Sequence, residues 1–111
     1  MRKLNIVSES KTAVELELPV GVKIDIWDDG GATLDRYSIA FTGILNHRVK
    51  YTYFVGSSEK PFSPQGFWQH TTEIPTAEYR PKDFNHLGKR IKFSQLPTDV
   101  QKAINQELKE A

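Results

Sequence analysis

No cysteine occurs among the 111 residues. That excludes a disulfide framework, a zinc ribbon and thiol catalysis together, and leaves stability to a hydrophobic core. No run of about 18 apolar residues is present to span a bilayer, and no apolar export core follows Met1-Arg2-Lys3. The expectation is a cytoplasmic protein without membrane attachment. Nor does one sign of charge dominate, since 15 Lys+Arg stand against 14 Asp+Glu. Binding to nucleic acid or anionic lipid through bulk charge needs a basic excess, so the balance weighs against both, although a local patch is compatible with it. At this length one domain covering 1–111 is expected, with 38% hydrophobic and 26% charged residues as in an ordinary globular core and surface.

What is present is alternation. Val14, Leu16 and Leu18 alternate with Glu15 and Glu17, the period of a half-buried strand, until Pro19; Lys3 to Val7 offers a hairpin partner across Ser8-Glu9-Ser10-Lys11. Val22, Ile24 and Ile26 form a second alternating run that stops at Asp28-Asp29-Gly30-Gly31, a strong turn signal. Tyr37, Ile39 and Phe41 form the next, and Val49, Tyr51, Tyr53 and Val55 the longest. Short turns between successive strands predict an antiparallel meander.

After Gly56 the pattern breaks. Residues 57–81 hold four of the six prolines and little periodicity. They predict a long ordered loop with one short helix capped by Ser63, Pro64 at its first position and Gln69 near its end. Thr71 to Asp83 is expected to be the most mobile stretch, and Ile91 and Phe93 to lie in a short extended segment. The C-terminal stripe Leu96, Val100, Ala103, Ile104 and Leu108 predicts an α-helix with Pro97 in its first turn, Asp99 at the positive end of the macrodipole and Ser94 as cap. A helix this short needs packing to persist, so the fold class is α+β: a mostly antiparallel sheet against a C-terminal helix.

The order Asp29-Gly30-Gly31-Ala32-Thr33-Leu34-Asp35-Arg36-Tyr37, Ser63-Pro64-Gln65-Gly66-Phe67, His86-Leu87-Gly88-Lys89-Arg90-Ile91 and Leu96-Pro97-Thr98-Asp99-Val100-Gln101-Lys102-Ala103-Ile104 resembles a group of small bacteriophage and mobile-element proteins. The resemblance covers most of the chain, roughly Ile24 to Ile104, and leaves the strands of residues 1–19 outside the core of 20–111. It brings no activity with it. It implies a small accessory factor at work inside a bacterial cell.

The chemistry of the motifs is that of binding. Asp28-Asp29-Gly30-Gly31 lacks the calcium-loop pattern, for the twelfth residue from Asp28 is Ile39 instead of Glu; a hairpin turn with carboxylates capping backbone N–H groups accounts for it. No phosphate loop, no serine elbow and no acid–base pair stands out, and the three histidines His47, His70 and His86 lack metal-ligand spacing. Neither a catalytic residue nor a metal or cofactor is therefore assigned. Arg36 either ties down carbonyls of the Gly56 to Glu59 loop or recognises an acidic or phosphate group beside Ser57, Ser58 and Gln65. His86 either orders a turn or serves a ligand. Phe62, Phe67, Trp68 and Tyr79 either plug the core or, lying among Arg80, Lys82, Lys89 and Arg90, make a mixture suited to a protein interface and, less readily at this net charge, to stacking on nucleic-acid bases. The expected function is a non-enzymatic protein-binding factor whose surface spans Ser57 to Lys89, with Trp68 as anchor. The alternative is a small-molecule or nucleic-acid binding module in which Arg36, Ser58, Gln65 and His86 converge.

Overall fold

The computed structural model describes residues 14–44, 51–64 and 66–110. Five strands form one antiparallel sheet: β1 (Lys23–Asp28), β2 (Tyr37–Thr42), β3 (Tyr51–Ser57), β4 (Phe67–Pro75) and β5 (Lys89–Ile91). Their spatial order is β4-β3-β2-β1-β5, a meander of four strands with β5 closing against the outer side of β1. The helix α1 (Thr98–Glu110) follows. The α+β architecture thus has the sheet and C-terminal helix that the periodicities predict. Among the described residues no helix is long and apolar enough to cross a membrane.

Period-2 alternation divides the sheet into two faces. Tyr37, Ile39 and Phe41 of β2 and Tyr53 and Val55 of β3 turn to α1, where they share a core with Val100, Ile104 and Leu108. Phe41 and Tyr53 stack at 5.2 Å between ring centroids, and the Tyr53 hydroxyl donates to Glu107 of α1 at 2.7 Å. On the opposite face Trp27, Ala40 and Phe54 form a smaller cluster, covered by Ile74, Tyr79, Phe84 and Leu87. The cover is a strap, residues 76–87, made of two short 3₁₀ helices, Thr76–Glu78 and Pro81–Leu87. One carboxylate fastens it. Asp25 accepts from the Tyr79 hydroxyl and from the Arg90 guanidinium, both at 2.7 Å, and Arg90 also lies over the Trp27 ring. The strap rejoins the sheet at Gly88, with φ 136°; a Cβ there would run into the backbone carbonyl of Asp28, so only glycine fits.

Several local expectations give way. Residues 14–18 form no strand: the Asn105 side chain of α1 takes the Glu17 N–H at 3.0 Å and donates to the Glu15 carbonyl at 2.8 Å, in the place a neighbouring strand would occupy. The Lys3 to Val7 partner lies outside the described residues. In the segment expected as one long loop, no helix begins at Ser63. Its hydroxyl and its N–H both donate to the Lys60 carbonyl, its own carbonyl accepts from Gly66 N–H, and Ser58 N–H bonds the Gly66 carbonyl. This turn sends the chain back along β3 as β4, so Thr71 to Asp83 is half strand and half strap instead of a mobile stretch. Ser94 is not the helix cap, since it lies in a 3₁₀ turn, Phe93–Gln95; the first α-helical bond runs from Gln101 N–H to the Pro97 carbonyl.

Candidate functional site

Trp68, His70, Thr72 and Ile74 alternate along β4 and turn to the strap side, opposite β3 residues Gly56 and Thr52 in the register. Trp68 is 52% exposed, with its ring edge-on to His70 at 5.6 Å. β4 is a sheet edge, and among the described residues no strand pairs on its outer side. Because Ser58 and Gly66 are hydrogen-bonded, antiparallel alternation makes Gly56 and Trp68 the next bonded pair. Phe67 and Gln69 then direct their backbone N–H and C=O groups outward.

Beside this edge lies a cavity of about 140 Å³ between strap and sheet, lined by Ser38, Phe54, His70, Thr72, Phe84, His86 and Leu87. Phe54 and Phe84, with ring centroids 4.9 Å apart, form an aromatic wall. The polar part comes from two strands, β2 and β4, and the strap. Gly56 makes this arrangement sterically open: a Cβ on it would stand 2.7 Å from His70 Nε2 and 3.1 Å from Asp35 Oδ2, so the missing side chain lets the imidazole and the carboxylate settle against the sheet. A register shift between Tyr53 and Val55 bulges β4 at this point.

The first sequence motif is a second, separate surface. The Asp28 carboxylate takes Gly30 N–H, and that of Asp29 takes Gly31 N–H, Ala32 N–H and the Thr33 hydroxyl. Gly30 and Gly31 have φ 77° and 92°, so this is the carboxylate-capped hairpin turn. Arg36 grips Asp28 with two bonds, 2.7 and 3.1 Å, and reaches Glu59 at 3.4 Å. Its partners are carboxylates from both neighbouring turns, not its neighbour Asp35 and not the loop carbonyls. The hydrogen bond from Arg36, opposed by slight desolvation and helped by Gly30 N–H, holds Asp28 below the ordinary carboxylate range. Asp29 is held low as well: modest desolvation pushes it up, but bonds from Thr33, Gly31 and Ala32 outweigh this. An open groove of about 750 Å³ runs between this turn and residues 58–66, lined in part by Thr33, Asp35, Ser58 and Ser63. Ser58 Oγ accepts the Lys60 N–H at its rim.

The sequence-predicted site residues therefore separate. Arg36 is engaged in ion pairs, Ser58 lines the turn groove, His86 lines the strap cavity, Trp68 stands on the β4 edge, and Gln65 lies outside the described residues. His47 also lies outside them. Ser38, His70 and Thr72 were not singled out together. The strand alternation of Trp68, His70, Thr72 and Ile74 is the sequence signal that aligns three of these neighbours on one face, while Ser38 and His86 join them only through the fold. Among the described residues no three His, Asp or Glu side chains gather as a metal ligand set. Comparison with protein-family models, curated proteins and solved structures returns no match.

Proposed function

We propose that this domain binds a protein partner without performing chemistry, taking an extended segment of that partner along the outer edge of β4 with Trp68 as the anchoring side chain. The observation that carries it is the half-exposed Trp68 ring on a sheet edge whose neighbouring residues point backbone groups outward. Strand addition uses such groups for affinity and alternate side chains for specificity, and tryptophan is among the side chains that most often dominate interface energies. The motif order that resembles phage and mobile-element proteins suggests the setting: an accessory factor in the bacterial cytoplasm, engaging a host or phage protein. A module built on convergence of Arg36, Ser58, Gln65 and His86 draws less support, because Arg36 is committed to Asp28 and Glu59 and the other described members face different cavities.

The test is partner capture from nuclease-treated bacterial lysate with wild type, Trp68→Ala and Gln69→Pro, each checked for folding by circular dichroism. Proline at 69 removes an outward N–H without touching the β3–β4 ladder, a change tolerated on edge strands. Both folded variants are expected to lose the same protein that wild type retains. Folded variants that keep every partner would overturn the proposal, and a partner lost only on nuclease treatment would identify a nucleic acid instead.

A further inference from the structure

We infer that the cavity beside β4 is a side-chain pocket that takes a phenol ring, and that the partner segment presents a tyrosine to it. The identity of the partner rests on the β4-edge reading above; the pocket itself can be probed alone. Size is the first ground. A cavity of about 150 Å³ accommodates one benzene ring, and this one measures about 140 Å³. Its wall is aromatic, with Phe54 and Phe84 offering faces and edges to a planar guest.

Polarity is the second ground. An apolar pocket of this size would suit phenylalanine, yet Ser38 and Thr72 bring hydroxyls to it and His70 and His86 bring imidazoles. Ser38 is 8% exposed and lines this pocket. A polar side chain on the wall of a largely aromatic pocket favours a guest that carries its own hydrogen-bonding group. Charge is the third ground. The Asp35 carboxylate lies beside His70 over Gly56, which disfavours a carboxylate or phosphate guest and leaves a neutral polar tip as the match. Nucleotides are disfavoured for the same reason, no lysine or arginine lines the pocket, and Arg90 on this face is paired with Asp25.

Position connects the pocket to the edge. A strand added to β4 would lie about 4.8 Å outside it, with alternate side chains on the strap side flanking Trp68, His70 and Thr72. Diagonal neighbours on adjacent strands are within reach of aromatic side chains. The bulge of β4 falls opposite Phe54, which lines the pocket.

The pocket is tested with p-cresol, toluene and uracil as free probes, followed by protein NMR on the wild-type chain and on Ser38→Ala and Thr72→Trp. At millimolar concentration p-cresol should shift the signals of Phe54, His70 and Phe84, with an affinity about tenfold above that of toluene, the worth of one hydrogen bond. Ser38→Ala should shrink that preference, and Thr72→Trp, a change at an exposed rim position, should abolish the shifts. Gln69→Pro should leave cresol binding intact while it removes partner capture, which separates failure of the pocket from failure of the edge. Absence of shifts, equal binding of toluene and p-cresol, unchanged binding by folded Thr72→Trp, or a preference for uracil would each overturn the assignment.

Discussion

The two faces of the sheet are closed in different ways. Against α1, aliphatic and aromatic side chains from three strands meet a helical stripe, and three polar side chains that reach this layer are matched: Tyr53 donates to Glu107, Gln101 donates to the Phe93 carbonyl, and Asn105 satisfies the backbone of residues 15–17. Under the strap the cluster is smaller and more aromatic. Trp27 is 0% exposed, yet its indole Nε1–H has no hydrogen-bond partner among the described residues. The neighbouring cavity carries Ser38, His70, Thr72 and His86 in its wall. A buried unmet donor costs on the order of 1–3 kcal/mol, and native structures retain few of them. The contrast assigns stability to the helix side and openness to the strap side.

The sharpest way to break this comparison is in the helix layer. Ile104→Ala should destabilise the fold by about 2–5 kcal/mol, because a fully buried side chain leaves a cavity in a close-packed layer. Urea denaturation measures it, and an unchanged midpoint would contradict the packing described. Next comes the strap fastening. Tyr79→Phe should cost about 1–2 kcal/mol, short of the full value for a bond to a charged group because the pair is only partly buried, and should raise hydrogen exchange across residues 81–87 before it affects α1.

Alkaline titration compares the faces directly, since burial raises two phenols on the helix face, Tyr37 and Tyr53, and one on the strap face, Tyr79. Burial first, and then the bond to a carboxylate, raises the Tyr53 and Tyr79 hydroxyls above the ordinary value of 10. Both therefore favour the folded state fully below pH 10, and that contribution fades as the pH rises toward their folded values. Tyr53→Phe and Tyr79→Phe should each flatten part of the alkaline decline in melting temperature. Acid acts elsewhere. Asp28 and Asp29 sit below their ordinary 3.8, so their contribution is complete above that pH and is lost as the pH falls below it. Arg36→Ala should weaken the acid sensitivity of the hairpin turn, read by melting between neutral pH and pH about 2. The smallest stability effect is expected at the edge: Trp68→Ala should change stability by no more than about 0.5 kcal/mol, as for an exposed position, while partner capture is lost.

The helix layer was legible in the sequence because one period governed each of its elements. β1, β2, β3 and α1 bury positions that recur at two or at three and four residues, and the hairpin at Asp28 to Gly31 follows from turn chemistry alone. β4 was hidden by composition. Its alternating face mixes tryptophan, histidine, threonine and isoleucine, and it ends at Pro75, features that an edge strand tolerates and a central strand does not. The reverse case is Val14 to Leu18, where good alternation met a helix side chain, Asn105, in place of a strand. At the candidate site the role of Arg36 as a tie between turns was readable, but its partner was not, for Asp28 lies across the hairpin while Asp35 lies next to it in sequence. Ser38, His70 and His86 come from segments far apart along the chain. Their meeting depends on β-register and on the path of the strap, which no local pattern encodes.

The single carboxylate of Asp25 holds one residue from within the strap and one from the strand that follows it. The chain between Tyr79 and Arg90 is thereby a noose drawn tight at one knot. Phe84, His86 and Leu87, the strap's share of the pocket wall, all lie within the loop that this knot closes.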